Sequence, residues 1–171
     1  MRYLIVVDMQ VDFISGALGT AEACAIVPRV VDKVRSFDGR VIFTKDTHGD
    51  DYMETREGVR LPVPHCIKGT EGHELCEELL PLARDTVEKP TFGSVALVHR
   101  LQADAEPIEY IELCGLCTDI CVISNAMLLK AAFPEVDIAV DAACSAGVTP
   151  ASHRNALAAM RAVQIDILNG D

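Results

Sequence analysis

One cysteine lies where the chain favours a reactive sulfur. Cys121 follows the apolar run 108–113 and a glycine at position 115, and it precedes the helical-looking segment 122–132. A strand that turns sharply into a helix would place Cys121 in the first helical turn. Free backbone N–H groups and the positive end of the helix dipole stabilise a thiolate there. Cys121 is therefore the predicted nucleophile.

The chain around this cysteine alternates between strand-like and helix-like segments. Short continuous apolar runs predict buried strands, and apolar residues at helical spacing predict helices. Six such alternations without a break in composition predict a single domain over residues 1–171. Its expected fold is α/β, with a doubly wound, mostly parallel six-stranded sheet and helices on both faces. The predicted strands are 3–7, 41–44, 86–88, 108–113, 137–140 and 163–168, and the predicted helices are 26–34, 73–82, 94–102, 120–132 and 150–162.

Polar residues follow several of these strands. Ligands of such sheets bind beyond the carboxyl ends of the strands, where Asp8, Lys89 and Cys121 would meet. A carboxylate, an ammonium group and a thiol supply the base, the electrostatic activator and the nucleophile of acyl chemistry. Each residue alone has a plainer interpretation: a cap, a surface amine or a small buried hydrophobe. Their convergence is what predicts an active site.

The long connection 45–72 carries a second group of polar residues. Asp46 and His48, with His65 downstream, offer one carboxylate and two imidazoles. This donor set suits zinc, iron or manganese with open positions for water or substrate. Long loops in compact domains are usually functional. Histidines in a polar loop are also often plain surface residues, so spacing alone leaves the metal open.

Several segments together resemble a known family. Residues 7–13 (VDMQVDF), 88–92 (EKPTF) and 115–122 (GLCTDICV) are similar to motifs of the isochorismatase-like cysteine hydrolases, with nicotinamidases as the nearest branch. Residues 140–145 are similar to the family's strand end before its last helix. The resemblance covers the full length of the chain.

The resemblance implies a catalytic Asp-Lys-Cys triad of Asp8, Lys89 and Cys121. It also implies a cis peptide bond between Leu116 and Cys117. The backbone N–H groups of Cys117 and Cys121 would then form the oxyanion hole.

The resemblance also favours a bound divalent metal. Asp46, His48 and His65 match the family's ligands. The fourth ligand, a histidine or glutamate between the two histidines, is ambiguous: Glu57 fits best and Glu54 is the other candidate. Zinc is the expected ion, with iron or manganese as alternatives, and no organic cofactor is needed.

The implied activity is hydrolysis of a small amide such as nicotinamide, a reaction of NAD metabolism, through a thioester on Cys121. Nicotinamidases usually carry aromatic residues just before the second metal histidine and shortly after the lysine, and this chain has no tryptophan. Phe13 and Phe92 remain as ring-stacking candidates, and Leu116 is a third candidate for the substrate pocket.

Other functions fit the sequence less well than this one. An N-carbamoyl or ureidoacrylate amidohydrolase would use the same triad but would need a cationic anchor that the sequence does not reveal. The isochorismate-cleaving branch does without the metal residues. A redox or iron–sulfur protein could use Cys114, Cys117 and Cys121, yet no fourth cysteine lies near them. The intact triad argues against a scaffold that has lost activity.

Composition excludes some partners. A net charge of -11 argues against binding to nucleic acid or to an anionic membrane surface. The sequence shows no signal peptide or membrane span, which predicts a cytoplasmic protein with reduced cysteines. A homo-oligomer remains open. We expect four cysteines to be inert and buried (Cys24, Cys76, Cys114 and Cys144) and three histidines to be surface or cap residues (His73, His99 and His153).

Overall fold

The computed structural model of the protein describes residues 1–170. Its core is one sheet of six strands in the order β3-β2-β1-β4-β5-β6, and every pairing is parallel. This confirms the predicted α/β fold, with a sheet that is entirely parallel. The strands are β1 (Arg2–Val7), β2 (Arg40–Asp46), β3 (Thr86–Lys89), β4 (Tyr110–Leu116), β5 (Asp137–Ala146) and β6 (Asp166–Leu168).

Apolar residues cover both faces of the sheet. Along β1, Tyr3, Ile5 and Val7 belong to one buried cluster, whereas Leu4 and Val6 belong to the other. This alternation follows from the two-residue period of a strand. The helices are α1 (Val11–Ile14), α2 (Ala21–Ser36), α3 (Arg56–Arg60), α4 (Val95–Gln102), α5 (Ile123–Ala132) and α6 (Pro150–Ala162).

Side-chain caps fix where α2, α4 and α6 begin. The hydroxyl of Thr20 accepts a hydrogen bond from the N–H of Ala23, so α2 begins five residues earlier than its apolar spacing predicts. Ser94 caps α4 in the same way, and Thr149 forms a capping box with Ser152 at the start of α6. Each cap satisfies an N–H group that would otherwise lack a helical partner. Within residues 1–170, none of the helices combines the length and apolarity needed to cross a membrane.

The predicted helix over residues 73–82 is wrong. The structure has only two 3-10 turns here, Glu71–His73 and Leu80–Leu82. Residues 74–76 between them are hydrogen-bonded to the segment after β1: the N–H of Val11 donates to the carbonyl of Glu74, and the N–H of Cys76 donates to that of Met9. Residues 77–79 form a turn, in which the N–H groups of Leu79 and Leu80 both donate to the carbonyl of Cys76. Hydrogen bonds to the segment after β1 therefore interrupt the predicted helix at residues 74–76.

Strand limits also differ from the sequence prediction. β5 continues to Ala146, and its pairing with β4 shifts register between Leu113 and Gly115. Gly115 has a φ of 114°, and a Cβ there would lie 2.2 Å from the carbonyl oxygen of Val7. Glycine thus lets β4 approach the end of β1, immediately before Asp8.

Candidate active site

Three polar side chains from different strand ends meet in the interior. The Nζ of Lys89 lies 2.7 Å from Oδ2 of Asp8 and 3.4 Å from Sγ of Cys121. Asp8 and Lys89 are 0% and 1% exposed, and Cys121 is 4% exposed. The structure therefore brings the predicted base, cation and nucleophile into one buried group.

Asp8 is held in place by a residue that the sequence analysis did not consider. The hydroxyl of Thr44, on β2 beside β1, donates a hydrogen bond of 2.6 Å to Oδ1 of Asp8. The other oxygen, Oδ2, makes an ion pair with Lys89 but no well-oriented hydrogen bond. Burial raises the pKa of Asp8, although Lys89 opposes that shift. Oδ2 is consequently the atom able to take up a proton.

The surroundings of Cys121 differ from the sequence expectation. Cys121 lies in a π-helical turn, Thr118–Val122, that runs directly into α5. Its pKa is raised well above the usual value, first by burial and then by the carboxylate of Asp8, although Lys89 lowers it. Desolvation disfavours the charged form of the sulfur and so works against the thiolate that the sequence predicts. The thiol needs a base when it reacts.

Lys89 also contacts two groups outside the triad. Its ammonium group also lies 3.1 Å from Oδ1 of Asp46 and 3.0 Å from the carbonyl oxygen of Thr91. Burial works against the charged amine, but the carboxylates of Asp8 and Asp46 and the sulfur of Cys121 raise its pKa. Lys89 thus remains a cation among three anionic or potentially anionic groups.

Four side chains beside Lys89 form a candidate metal site. Their ligand atoms all lie within 4.8 Å of one another: Asp46, His48, Glu57 and His65. Nε2 of His48 is 2.9 Å from Oδ2 of Asp46, and Nε2 of His65 is 3.6 Å from the same oxygen. Oε1 of Glu57 is 3.7 Å from both imidazole nitrogens. Glu54, the other glutamate considered, is exposed and lies outside this group.

Three of these four distances, 3.6, 3.7 and 3.7 Å, are close to the spacing of ligand atoms around a metal ion. In a tetrahedral zinc site, bonds of about 2.0–2.2 Å place the ligand atoms about 3.3–3.6 Å apart. Three of the four separations are too long for hydrogen bonds, which leaves room at the centre. Nδ1 of His65 lies 2.8 Å from the carbonyl oxygen of Val63, so this nitrogen carries the proton and Nε2 is free to bind.

Gln10 forms hydrogen bonds with the backbone next to the candidate metal site. Nε2 of Gln10 donates to the carbonyl oxygens of Asp46 and His73, and Oε1 of Gln10 accepts from the N–H of Asp46. His73 is buried, with Nε2 2.9 Å from the hydroxyl of Thr47, so its assignment as a surface or cap residue is wrong. The backbone of Asp46 is thereby fixed relative to β1 and to the loop 66–76. No sequence pattern pointed to these contacts.

The three residues predicted to line the substrate pocket do not all lie in one place. The ring of Phe13 lies 5.4 Å from that of His65, beside the candidate metal site. Leu116 is buried in the same apolar cluster as Phe13, and its peptide bond to Cys117 is cis, as the resemblance implies. Phe92 is 41% exposed and lines an open groove on the outer side of α5.

The remaining cysteines do not form a second centre. All seven are free, and Cys76, Cys114 and Cys144 are buried as expected. Cys24 is exposed, so its predicted burial is wrong. Cys114 and Cys121 belong to apolar clusters on opposite faces of the sheet, which excludes joint ligation of an iron–sulfur cluster. Within residues 1–170, the acidic and histidine group described above is the only metal-ligand cluster.

Comparison with known proteins places this architecture in a family. The isochorismatase domain family matches residues 2–170 of the chain. The chain belongs to the isochorismatase family. The predicted family membership is confirmed, and the protein is a hydrolase of that family.

Solved structures of isochorismatase-family relatives cover nearly the whole chain. Nicotinamidase/pyrazinamidase PncA from Bacillus subtilis is 29% identical, with a TM-score of 0.86 over 98% of this chain and 99% of that one. Pyrazinamidase of Pyrococcus horikoshii in complex with zinc is 26% identical, with a TM-score of 0.81 over 99% of each chain. N-carbamoylsarcosine amidase from Thermoplasma acidophilum is 26% identical, with a TM-score of 0.76 over 98% of this chain and 95% of that one.

Proposed function

We propose that this protein is a cysteine amidohydrolase that cleaves a small amide such as nicotinamide to the acid and ammonia. The observation that supports this most directly is the contact of Lys89 with both Asp8 and Cys121 in a buried setting. A thiol grouped with a carboxylate and a cation supplies the nucleophile, the base and the charge stabilisation that nucleophilic acyl transfer uses. The relatedness to nicotinamidases favours nicotinamide among small amides.

In the proposed mechanism, Oδ2 of Asp8 takes the thiol proton as Sγ of Cys121 attacks the amide carbonyl carbon. The carbonyl oxygen becomes an oxyanion, which the N–H groups of Cys117 and Cys121 would stabilise. Asp8 then returns the proton to the amide nitrogen, the C–N bond breaks, and ammonia leaves. Asp8 next takes a proton from a water that attacks the thioester carbonyl carbon. The C–S bond then breaks and Asp8 returns the proton to the leaving sulfur, which releases the acid and restores the thiol. Lys89 keeps its charge throughout and stabilises each anion in turn.

Asp46, His48, Glu57 and His65 would hold the divalent metal, with zinc as the expected ion. Bound there, the metal would supply a Lewis acid that a ring nitrogen of the substrate could approach. Phe13, packed against His65, would form part of the wall beside the substrate.

Release of ammonia by the purified protein tests this proposal. The panel comprises nicotinamide, pyrazinamide, N-carbamoyl amino acids and ureidoacrylate, assayed with wild type and Cys121→Ala, each with zinc or with chelator. Turnover of nicotinamide that depends on Cys121 and is lost with chelator is the expected result. Cys114→Ala is the matched control, because it removes a buried cysteine on the opposite face of the sheet.

Other outcomes of this assay have definite meanings. Turnover of only the ureido substrates would keep the triad and move the enzyme to the N-carbamoyl branch, for which the Thermoplasma amidase is a relative. Normal turnover by Cys121→Ala would disprove the assignment of the nucleophile.

A further inference from the structure

Tyr52 is a buried aromatic residue within the loop that carries the metal-ligand candidates. It begins a 3-10 turn but is only 1% exposed. Its ring centroid lies 4.8 Å from that of His48 and 5.0 Å from that of His65. The two imidazoles are themselves 5.0 Å apart. The three rings thus contact one another at interplanar angles of 60° to 75°, the tilted arrangement that aromatic pairs prefer.

The backbone and hydroxyl of Tyr52 contact the helix that carries Glu57. The carbonyl oxygen of Tyr52 accepts a hydrogen bond of 2.7 Å from the hydroxyl of Thr55, the residue that caps α3. A Cβ added at Gly58 would lie 2.0 Å from the same carbonyl oxygen, so α3 packs directly on Tyr52. The phenol donates a hydrogen bond of 2.9 Å to the carbonyl of Leu61, at the end of α3. Tyr52 therefore contacts His48, His65 and α3, the helix that carries Glu57.

The imidazole rings of His48 and His65 differ in their hydrogen bonds. The ring of His65 is fixed by the contact of Nδ1 with the carbonyl of Val63. The ring of His48 has one hydrogen-bond partner within residues 1–170, Oδ2 of Asp46, through Nε2. Both of those atoms are candidate ligands. When both bind a metal, their mutual hydrogen bond is replaced, and ring packing is what remains to orient His48.

We propose that Tyr52 is a positioning residue of the metal centre, whose ring holds the imidazoles of His48 and His65 with both Nε2 atoms directed at one point. This inference rests on the metal site of the proposed function. The aromatic ring of Tyr52, and not its hydroxyl group, is what orients the two imidazoles. Residues that orient metal ligands contribute to metal affinity without touching the ion.

Metal binding to the full chain tests the role of Tyr52 without recourse to activity. Co²⁺ is titrated into chelator-treated wild type, Tyr52→Phe, Tyr52→Leu and Tyr52→Met by calorimetry, and the visible absorption of bound Co²⁺ reports its ligands. Tyr3→Leu is the matched control, because Tyr3 is equally buried but lies at the opposite end of β1 from Asp8. Thermal unfolding without metal identifies any variant that does not fold.

The expected result is a loss of Co²⁺ affinity of about 10- to 100-fold and an altered spectrum in Tyr52→Leu and Tyr52→Met. Tyr52→Phe and Tyr3→Leu should retain the affinity and the spectrum of wild type. If folded Tyr52→Leu or Tyr52→Met binds Co²⁺ as wild type does, the proposal for Tyr52 is overturned while the metal site stands. A loss in Tyr52→Phe as large as that in Tyr52→Leu would assign the effect to the hydroxyl and also overturn it. Absence of Co²⁺ binding by wild type would instead overturn the metal site itself.

Discussion

Lys89 and Asp46 form an ion pair of 3.1 Å that joins the candidate nucleophilic centre to the candidate metal site. The same ammonium group is 2.7 Å from Asp8, so one cation neutralises a carboxylate of each group. All three side chains are at most 2% exposed. Burying two carboxylates so close together is favourable only with such a shared cation. The two groups are therefore parts of one electrostatic unit.

Thr44 should control the base through its hydrogen bond to Asp8. Thr44→Val keeps the shape of the side chain but removes the donor that is 2.6 Å from Oδ1. We expect kcat for ammonia release to fall about tenfold or more and the free energy of unfolding to fall by about 1–3 kcal/mol. Steady-state assays and urea unfolding measure the two effects. Thr44→Ser, which keeps the hydroxyl, should restore most of the rate, and equal rates for the valine and serine variants would contradict this role.

Two neighbouring glutamates provide a matched test of the fourth metal ligand. Glu57→Ala should weaken metal binding by at least about tenfold, whereas Glu54→Ala should leave it unchanged, because only Glu57 lies among the other donors. Equilibrium dialysis with zinc, followed by elemental analysis, gives both affinities. A greater loss in the Glu54 variant would move the ligand to that residue. His48→Ala should lose the metal in either case.

The thiols should react in an order set by exposure. Cys24 is exposed on α2, whereas Cys121 is 4% exposed and has a pKa raised by burial. Because thiolate character and access govern alkylation, iodoacetamide should label Cys24 first and leave activity largely intact. Peptide mapping by mass spectrometry identifies the labelled residue at each time. Cys24→Ser should resist early labelling, and faster labelling of Cys121 would show that its sulfur is more accessible and more ionised than the structure indicates.

A second buried charge cluster should set acid stability. Nζ of Lys33 on α2 lies 2.6 Å from Oδ2 of Asp141 and also pairs with Glu112. Lys33→Met would leave two buried carboxylates unpaired, so we expect the free energy of unfolding at pH 7 to fall by about 3 kcal/mol. Lys68→Met removes only the exposed pair with Glu88 and should cost under about 1 kcal/mol.

The cluster of Lys33, Asp141 and Glu112 also predicts how the free energy of unfolding changes with pH. Burial favours a higher pKa for Asp141, but Lys33 and Asn169 hold it below its usual value in the folded protein. A depressed carboxyl pKa contributes stability above its unfolded value of about 3.9, and this contribution is lost as pH falls through the folded value. Urea unfolding from pH 7 to pH 3 should therefore show the difference between wild type and Lys33→Met shrinking in acid. A constant difference would exclude Asp141 as the titrating group.

Much of the fold was predictable because buried parallel strands leave short apolar runs in the sequence. The runs that end near Val7, Thr44 and Leu113 correctly indicated β1, β2 and β4. The predicted helix over 73–82 is wrong because residues 74–76 are hydrogen-bonded to the segment after β1, a partner that no local pattern reveals.

The sequence by itself determined which residue types follow the strands, and therefore which side chains could meet at one edge of the sheet: Asp8, Asp46, Lys89 and Cys121. Tertiary structure decided how they meet. Only tertiary packing places Thr44 against Asp8 and the ring of Tyr52 against that of His65, since these contacts join residues that are distant in sequence. Tertiary structure also creates the surroundings that raise the pKa of Cys121, because burial, the largest cause, and the carboxylate of Asp8 both come from segments distant in sequence.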